Sequence, residues 1–190
     1  MYDYLEIIGT AVGFVYLWLE YRASRYLWIA SVVMPAIYLV VFYGAGLYAD
    51  TAINIYYLLI ALYGWIRWRQ GSEGQGELPI TRASAGVWIA MAAVYIVAQI
   101  LFALLLMGLT DSDVPWFNAL TSALSIVGMW MLARKYVEQW LVWFVVDILS
   151  AALYLYKGLE MTAVLYIVYA IIAIFGYRKW REMMTKQDAI

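Results

Sequence analysis

The chain has 190 residues, of which 67% are hydrophobic and 13% charged, and its net charge is −1. Soluble domains run about 45–50% apolar and 25% charged, so the outside of this molecule must be apolar and its solvent lipid. There is no basic domain, so no nucleic-acid partner is expected, and the absence of Cys and His excludes disulfides, thiolate chemistry, His-ligated metals and His proton shuttles.

A membrane-spanning helix needs about 20 mostly apolar residues. Seven such spans are predicted, at about 4–21, 27–45, 50–68, 85–109, 116–133, 139–156 and 160–180. The first follows Met1-Tyr2-Asp3, which lacks a basic leader, so it is expected to be a retained span. Span two carries Pro35, which removes one backbone hydrogen bond and is a candidate hinge. Span three carries Asn54, Tyr57, Ala61, Trp65 and Trp68 along one helix face. The polar stretch Gln70–Arg82 (QGSEGQGELPITR) reads as a flexible loop. Span four carries the lone amide Gln99, expected to bond another helix. Span five carries Asn118, Thr121, Ser122 and Ser125 on one side, either as small packing residues or as partners for ligand hydroxyls. Span six carries Asp147 at its middle, with Ser150 and Tyr154 on the same face. Glu20, near Arg22, is expected to snorkel or pair at the surface without further chemistry.

Residues 4–69 and 116–181 align without a gap. Gly64 falls on Gly176, Trp68 on Trp180, Arg69 on Arg181, Gly46 on Gly158, Trp28 on Trp140 and Arg22 on Arg134, each 112 residues on. Internal repeats are a mark of membrane transporters, with substrate held where the copies meet. The expected fold is all-α integral membrane, with seven transmembrane helices in a 3+1+3 arrangement and two parallel triple-helix repeats. Its parts are a first triplet (1–69), a cytoplasmic loop (70–84), a linker helix with an outer loop (85–115), a second triplet (116–181) and a cytoplasmic tail (182–190).

Charge placement supports that topology. Eleven of the twelve basic residues fall on one side, and only Lys157 falls on the other. The positive-inside rule then puts the N-terminus outside and the C-terminus in the cytoplasm. The acids Asp3, Asp50, Asp111, Asp113 and Glu160 lie outside and weigh little. Trp18, Tyr21, Tyr26, Trp28, Tyr43, Tyr48 and Trp116 are expected to form the interfacial aromatic belt.

Asp147 is the sharpest position. An acid at bilayer depth costs several kcal/mol on insertion scales, so it should face protein or water. It either locks packing as a neutral group or lines a substrate path, where its charge would favour a cation. The stripe of span three could stack a flat cation by cation–π attraction, worth up to about 2 kcal/mol when desolvated. No GxxxxGK phosphate loop and no HExxH helix occur, so no enzyme, cofactor or metal is expected. The candidate substrate-binding residues are Asn54, Tyr57, Trp65, Trp68, Asn118, Thr121, Ser122, Asp147, Ser150 and Tyr154.

The blocks Leu124–Val127, Ala133–Trp140 (ARKYVEQW), Lys157–Gly158 and Gly176–Trp180, with Tyr63–Trp68 (YGWIRW), resemble the PnuC family of bacterial vitamin transporters over roughly residues 4–181. The resemblance implies a 3+1+3 fold like an enlarged sugar-carrier (SWEET) unit in the bacterial cytoplasmic membrane. It also implies facilitated diffusion of a B-vitamin or precursor, with trapping by a cytoplasmic kinase. Nicotinamide riboside is the family's best-known substrate, and relatives carry thiamine or riboflavin. Asn118 stands where that pattern commonly has Asp, and Asp147 where it commonly has a neutral amide, which raises thiamine beside the riboside. The alternatives are a seven-helix receptor or sensor, for which span seven lacks an internal lysine, and a non-catalytic membrane assembly protein. Self-association into a homo-oligomer is plausible from the lipid-facing area of seven spans.

Overall fold

The computed structural model describes residues 2–44, 48–70, 77–109 and 113–187. Outside these lie Gly46, the loop core 71–76, Asp111 and the last residues of the tail; the side chains of Asp3, Tyr43, Tyr48 and Asp50 are likewise not described. The described residues form seven α-helices: α1 (Tyr2–Tyr21), α2 (Leu27–Gly44), α3 (Tyr48–Gln70), α4 (Ala85–Leu109), α5 (Pro115–Ala133), α6 (Gln139–Tyr156) and α7 (Glu160–Gln187). A helix stands at each of the seven expected stretches, in the expected order. α7 runs seven residues further than expected because its polar end, Arg181–Gln187, continues the helix beyond the apolar stretch. By length and composition, α4, α5, α6 and α7 can each cross a membrane. Ile89, Val97, Leu104, Leu109, Met161 and Val164 on these helices are exposed. That inversion of the soluble pattern is what a lipid solvent requires, and the chain is a multi-pass membrane protein.

The chain divides into two compact units, residues 1–79 and 80–190. In the first, α1 and α3 both pack on α2. The α1–α2 turn is tight: Ala23, at φ 51°, donates to the Glu20 carbonyl at 2.8 Å, and Ser24 reaches back to Leu19 at 2.9 Å. These two bonds satisfy the last carbonyls of α1 in the Schellman pattern, which needs a left-handed residue just past the helix. Trp28 is fully buried and meets Trp68 edge-on, with ring centroids 5.6 Å apart at 88°. Gly64 makes this possible, because any Cβ there would sit inside the Trp28 ring system. Trp28 is therefore a packing residue and not part of the expected belt, whereas Trp18 and Tyr26 are exposed.

In the second unit α5 packs on α4 and α6, and α6 packs on α7. The α5–α6 turn has Lys135 at φ 59°, with Lys135 bonded to Leu132 at 2.8 Å and Tyr136 to Met131 at 3.0 Å. Trp140 meets Trp180 edge-on at 5.8 Å and 88°, and an added Cβ on Gly176 would lie 2.6 Å from the Trp140 ring. Met91, Val127, Met131, Tyr136, Val142 and Val146 form the apolar core under this turn. Gln99 donates to the Trp116 carbonyl at 3.0 Å, the interhelical bond expected of it.

The end of the polar stretch is not a flexible loop. Leu78 and Ile80 are buried, and Thr81 pairs with the α5–α6 turn through Thr81 N–H to the Lys135 carbonyl (3.2 Å) and Val137 N–H to the Thr81 carbonyl (2.9 Å). Ala83 N–H donates to the Glu138 carboxylate at 2.9 Å and Ile80 N–H to the Gln187 amide oxygen at 3.1 Å. Its composition, rich in Gly and Glu upstream, hides an apolar strap (Leu78, Pro79, Ile80) that needs a surface to cover.

Candidate functional site

Asp147 sits on the inward face of α6. It is buried at 7% exposure, Ser150 one turn on is buried at 6%, and Tyr154 one further turn along is half-buried. The three share a face because positions i, i+3 and i+7 line up on a helix. Opposite them α7 presents Tyr166 and Tyr169. Tyr166 stacks on Tyr154 with centroids 5.1 Å apart at 30°. Tyr169 packs edge-on against Tyr166 at 5.7 Å. Asp147 is close enough to act electrostatically on both Tyr166 and Tyr169. Among the described residues no hydrogen bond or ion pair reaches its carboxylate. An acid, a hydroxyl and three phenols thus converge inside one helix pair of the second unit. Such a set can offer a cation a counter-charge and π faces together.

The hydroxyls of α5 are engaged at home. Thr121 and Ser122 both donate to the Asn118 carbonyl at 3.0 Å, and Ser125 donates to the Thr121 carbonyl at 2.8 Å. Their donors satisfy backbone of their own helix, which leaves the oxygens as acceptors only. Asn118 is half-buried in the first turn of α5.

The first unit holds its own stripe. On α3, Asn54 is buried, Tyr57 and Trp65 are half-buried and Ala61 is fully covered, whereas Ile55, Leu59, Leu62 and Ile66 on the other face are exposed. Tyr57 stands beside Tyr56, with centroids 5.7 Å apart. Trp68, at the end of the stripe, is fully buried and meets Trp28 edge-on. Pro35 lies within α2, which continues through it, and its ring is half-buried. Glu20 does not snorkel: it is buried at 2% exposure.

Reading the spans one at a time misses Tyr166 and Tyr169. The signal is present in the 112-residue offset, which carries Asn54 onto Tyr166 and Tyr57 onto Tyr169.

A profile of the nicotinamide mononucleotide transporter family matches residues 3–182. The chain belongs to that family, the PnuC family. This member is 25% identical over 205 residues to the nicotinamide riboside transporter PnuC of Escherichia coli, covering 94% of this chain and 85% of that one. It is 29% identical over 180 residues to the riboflavin/roseoflavin transporter RibM of Streptomyces davaonensis, covering 92% and 83%. The crystal structure of the vitamin B3 transporter PnuC matches with a TM-score of 0.68 at 21% identity, over 92% of this chain and 79% of that one, which fixes the PnuC fold.

Proposed function

We propose that this PnuC-family protein is a uniporter that carries a cationic B-vitamin or precursor, nicotinamide riboside or thiamine, into the cytoplasm by facilitated diffusion, where a kinase traps it. The observation that carries the reading is Asp147: an acid buried in a membrane helix, facing three tyrosines, with no hydrogen-bond or ion-pair partner among the described residues. Burying a lone carboxylate costs several kcal/mol, so a positively charged guest would offset that cost. Tyr154, Tyr166 and Tyr169 would supply π faces and Ser150 a hydroxyl. Asn54, Tyr57 and Trp65 in the first unit, and Asn118, Thr121 and Ser122 in the second, are proposed as further ring and hydrogen-bond contacts. Pro35 is proposed as a hinge within α2.

The matching turns and Trp pairs of the two units support a 3+1+3 order of spans, and the distribution of basic residues supports an outer N-terminus and a cytoplasmic C-terminus in the bacterial inner membrane. The chain has no native cysteine, so single cysteines at Lys157 and Lys186 would read that topology by accessibility labelling. Labelling of both from the same side would overturn it.

The deciding experiment is binding of nicotinamide riboside, thiamine and riboflavin to purified protein, followed by Asp147→Asn. The expected result is saturable binding of one of the two cations and a loss of about tenfold or more in the variant, the scale of removing one close charge interaction. Binding of none of the three overturns the vitamin reading. Tight binding of riboflavin, indifferent to Asp147→Asn, would place the chain with RibM in substrate and remove the counter-ion role.

A further inference from the structure

The fourth span has no counterpart in the 112-residue repeat, so pairing the triplets does not say which of them carries it. The contacts of α4 answer at three heights. Just before its start, Thr81 N–H donates to the Lys135 carbonyl at 3.2 Å, Val137 N–H to the Thr81 carbonyl at 2.9 Å, and Ala83 N–H to the Glu138 carboxylate at 2.9 Å. Ile80, itself buried, adds a bond from its N–H to the Gln187 amide oxygen at the end of α7, at 3.1 Å. Along the first half of α4, Met91 is buried in one core with Val127 and Met131 of α5 and Val142 and Val146 of α6, and Val87 packs on that core from the side. Further along, Gln99 donates to the Trp116 carbonyl at 3.0 Å. Strap and helix together are thus fastened to α5, α6 and α7.

Upstream the chain is held differently. It passes from the first unit to the second between Pro79 and Ile80. On the first-unit side, Glu77 approaches Arg25 at 3.9 Å with both side chains exposed, and Leu78 N–H donates to the Trp68 carbonyl at 3.4 Å. An exposed ion pair contributes little, and 3.4 Å lies beyond the usual N–H···O range. Segments with few buried contacts and solvent-exposed bonds open first, while a buried apolar core opens only with the whole unit it belongs to. Alternating access turns one body of helices against another, and a joint between bodies needs one anchored side and one loosely held side. Ile80–Ala83 is the anchored side and Glu77–Leu78 the loose one.

We propose that the strap Ile80–Ala83 is a permanent clamp that makes α4 a fixed part of the second unit, so that in the transport cycle α1–α3 move against a four-helix body, α4–α7, with the joint upstream of Ile80. The proposal rests on the chain's membership of a transporter family and not on which vitamin it carries. It makes the two halves unequal as machines although their triplets repeat in sequence.

The chain has no native cysteine, so cysteine pairs test the clamp directly. Thr81 and Tyr136 pair as a β-bridge, and Thr81→Cys with Tyr136→Cys is joined by a short bifunctional thiol reagent in full-length protein in liposomes. Uptake of whichever of nicotinamide riboside, thiamine and riboflavin the wild type carries should stay within about twofold of the unlinked variant, because a clamp that never opens lies outside any rate-setting conformational step. A fall of about tenfold or more, reversed by a cleavable linker, overturns the proposal and makes the strap a gate. If that pair does not fold, Ala83→Cys with Glu138→Cys replaces it. Spin labels on exposed positions supply the second measurement. The distance between Leu104→Cys on α4 and Leu155→Cys on α6 should be single and narrow with and without vitamin, whereas Leu59→Cys on α3 to Leu104→Cys should be broad or shift. The reverse pattern overturns the proposal by placing α4 with the first unit, and leaves the vitamin reading standing. A wild type that takes up none of the three overturns the vitamin reading alone, and the two label pairs in ligand-free protein then decide the clamp.

Discussion

The first and second units build the same backbone device and fill it differently. α1–α2 and α5–α6 turn through the same hydrogen bonds, residue for residue: Arg22 to Trp18 answers Arg134 to Trp130, Ser24 to Leu19 answers Tyr136 to Met131, and Leu27 to Ser24 answers Gln139 to Tyr136. Arg22 lies over the Trp18 ring at 5.8 Å, as Arg134 does over Trp130 at 5.7 Å. The fills are exchanged. The large side chain is Tyr16 on α1 in one unit and Trp143 on α6 in the other, where the corresponding positions are the small Gly128 and Ser31. The buried polar group near the turn is Glu20 where its counterpart is Leu132, and Gln139 where its counterpart is Leu27. Side-chain volume is thus conserved while chemistry is free to differ, the behaviour of cores that keep their total volume. It follows that the polar differences, Glu20 in one unit and Asp147 in the other, are the places to look for function.

The sharpest way to break the likeness is at the glycines. Gly64→Ala and Gly176→Ala each push a methyl into an indole held by a second indole, Trp28 by Trp68 and Trp140 by Trp180. Neither ring has room to retreat, so each variant should lose about 1–3 kcal/mol, the usual cost of overpacking. Melting of detergent-purified protein, followed by tryptophan fluorescence, should show a drop of similar size for both. A large drop in one and none in the other would mean that the two Trp pairs are not equivalent locks. Gly128→Ala sits in the same class but lower, because its methyl would touch Trp143 only at 3.0 Å, a contact that a shift of a few tenths of an ångström relieves. Its expected cost is nearer 1 kcal/mol.

The number and order of helices are legible in the sequence because twenty-residue apolar runs have few readings in any solvent. The Gly–Trp–Trp locks are half legible: the offset pairs the residues, but nothing in a pairing says that Gly64 lies under Trp28. Glu20 is misleading for a physical reason. From sequence, an acid two residues from an arginine near a span's end looks solvated, and only the folded chain shows it buried. Tyr166 and Tyr169 escape notice because span seven is aromatic and apolar throughout its middle, so no local contrast marks them. The strap at Leu78–Ala83 is hidden for the converse reason, three apolar residues being too few to stand out beside a Gly- and Glu-rich run.

The strap distinguishes the units in another way, because the described contacts of Ile80–Ala83 dock it on the α5–α6 turn. Glu138→Ala removes the carboxylate that accepts from Ala83 N–H at 2.9 Å. The amide is only partly buried, so water can replace part of the bond, and the expected loss is about 1 kcal/mol. Hydrogen exchange at Ala83 and Val87 should quicken in the variant, with no change at the α1–α2 turn. Uniform quickening across the molecule would make Glu138 a global stability residue instead.

The smallest effect should come from the turns themselves. Left-handed backbone costs a residue with a Cβ roughly 1–2 kcal/mol, and glycine escapes that cost. Gly158, at φ 72°, has open space around it, so Gly158→Ala should lose about 1 kcal/mol from backbone strain alone. Ala23 already accepts that strain at φ 51°. Its methyl is buried, however, and burying one carbon is worth about 0.8 kcal/mol. The two terms oppose each other in Ala23→Gly, so its melting temperature should move by less than a few degrees in either direction. A gain above about 1 kcal/mol would mean that the methyl packs against nothing. A loss of that size would mean that packing at the α1–α2 turn outweighs the strain of its left-handed residue.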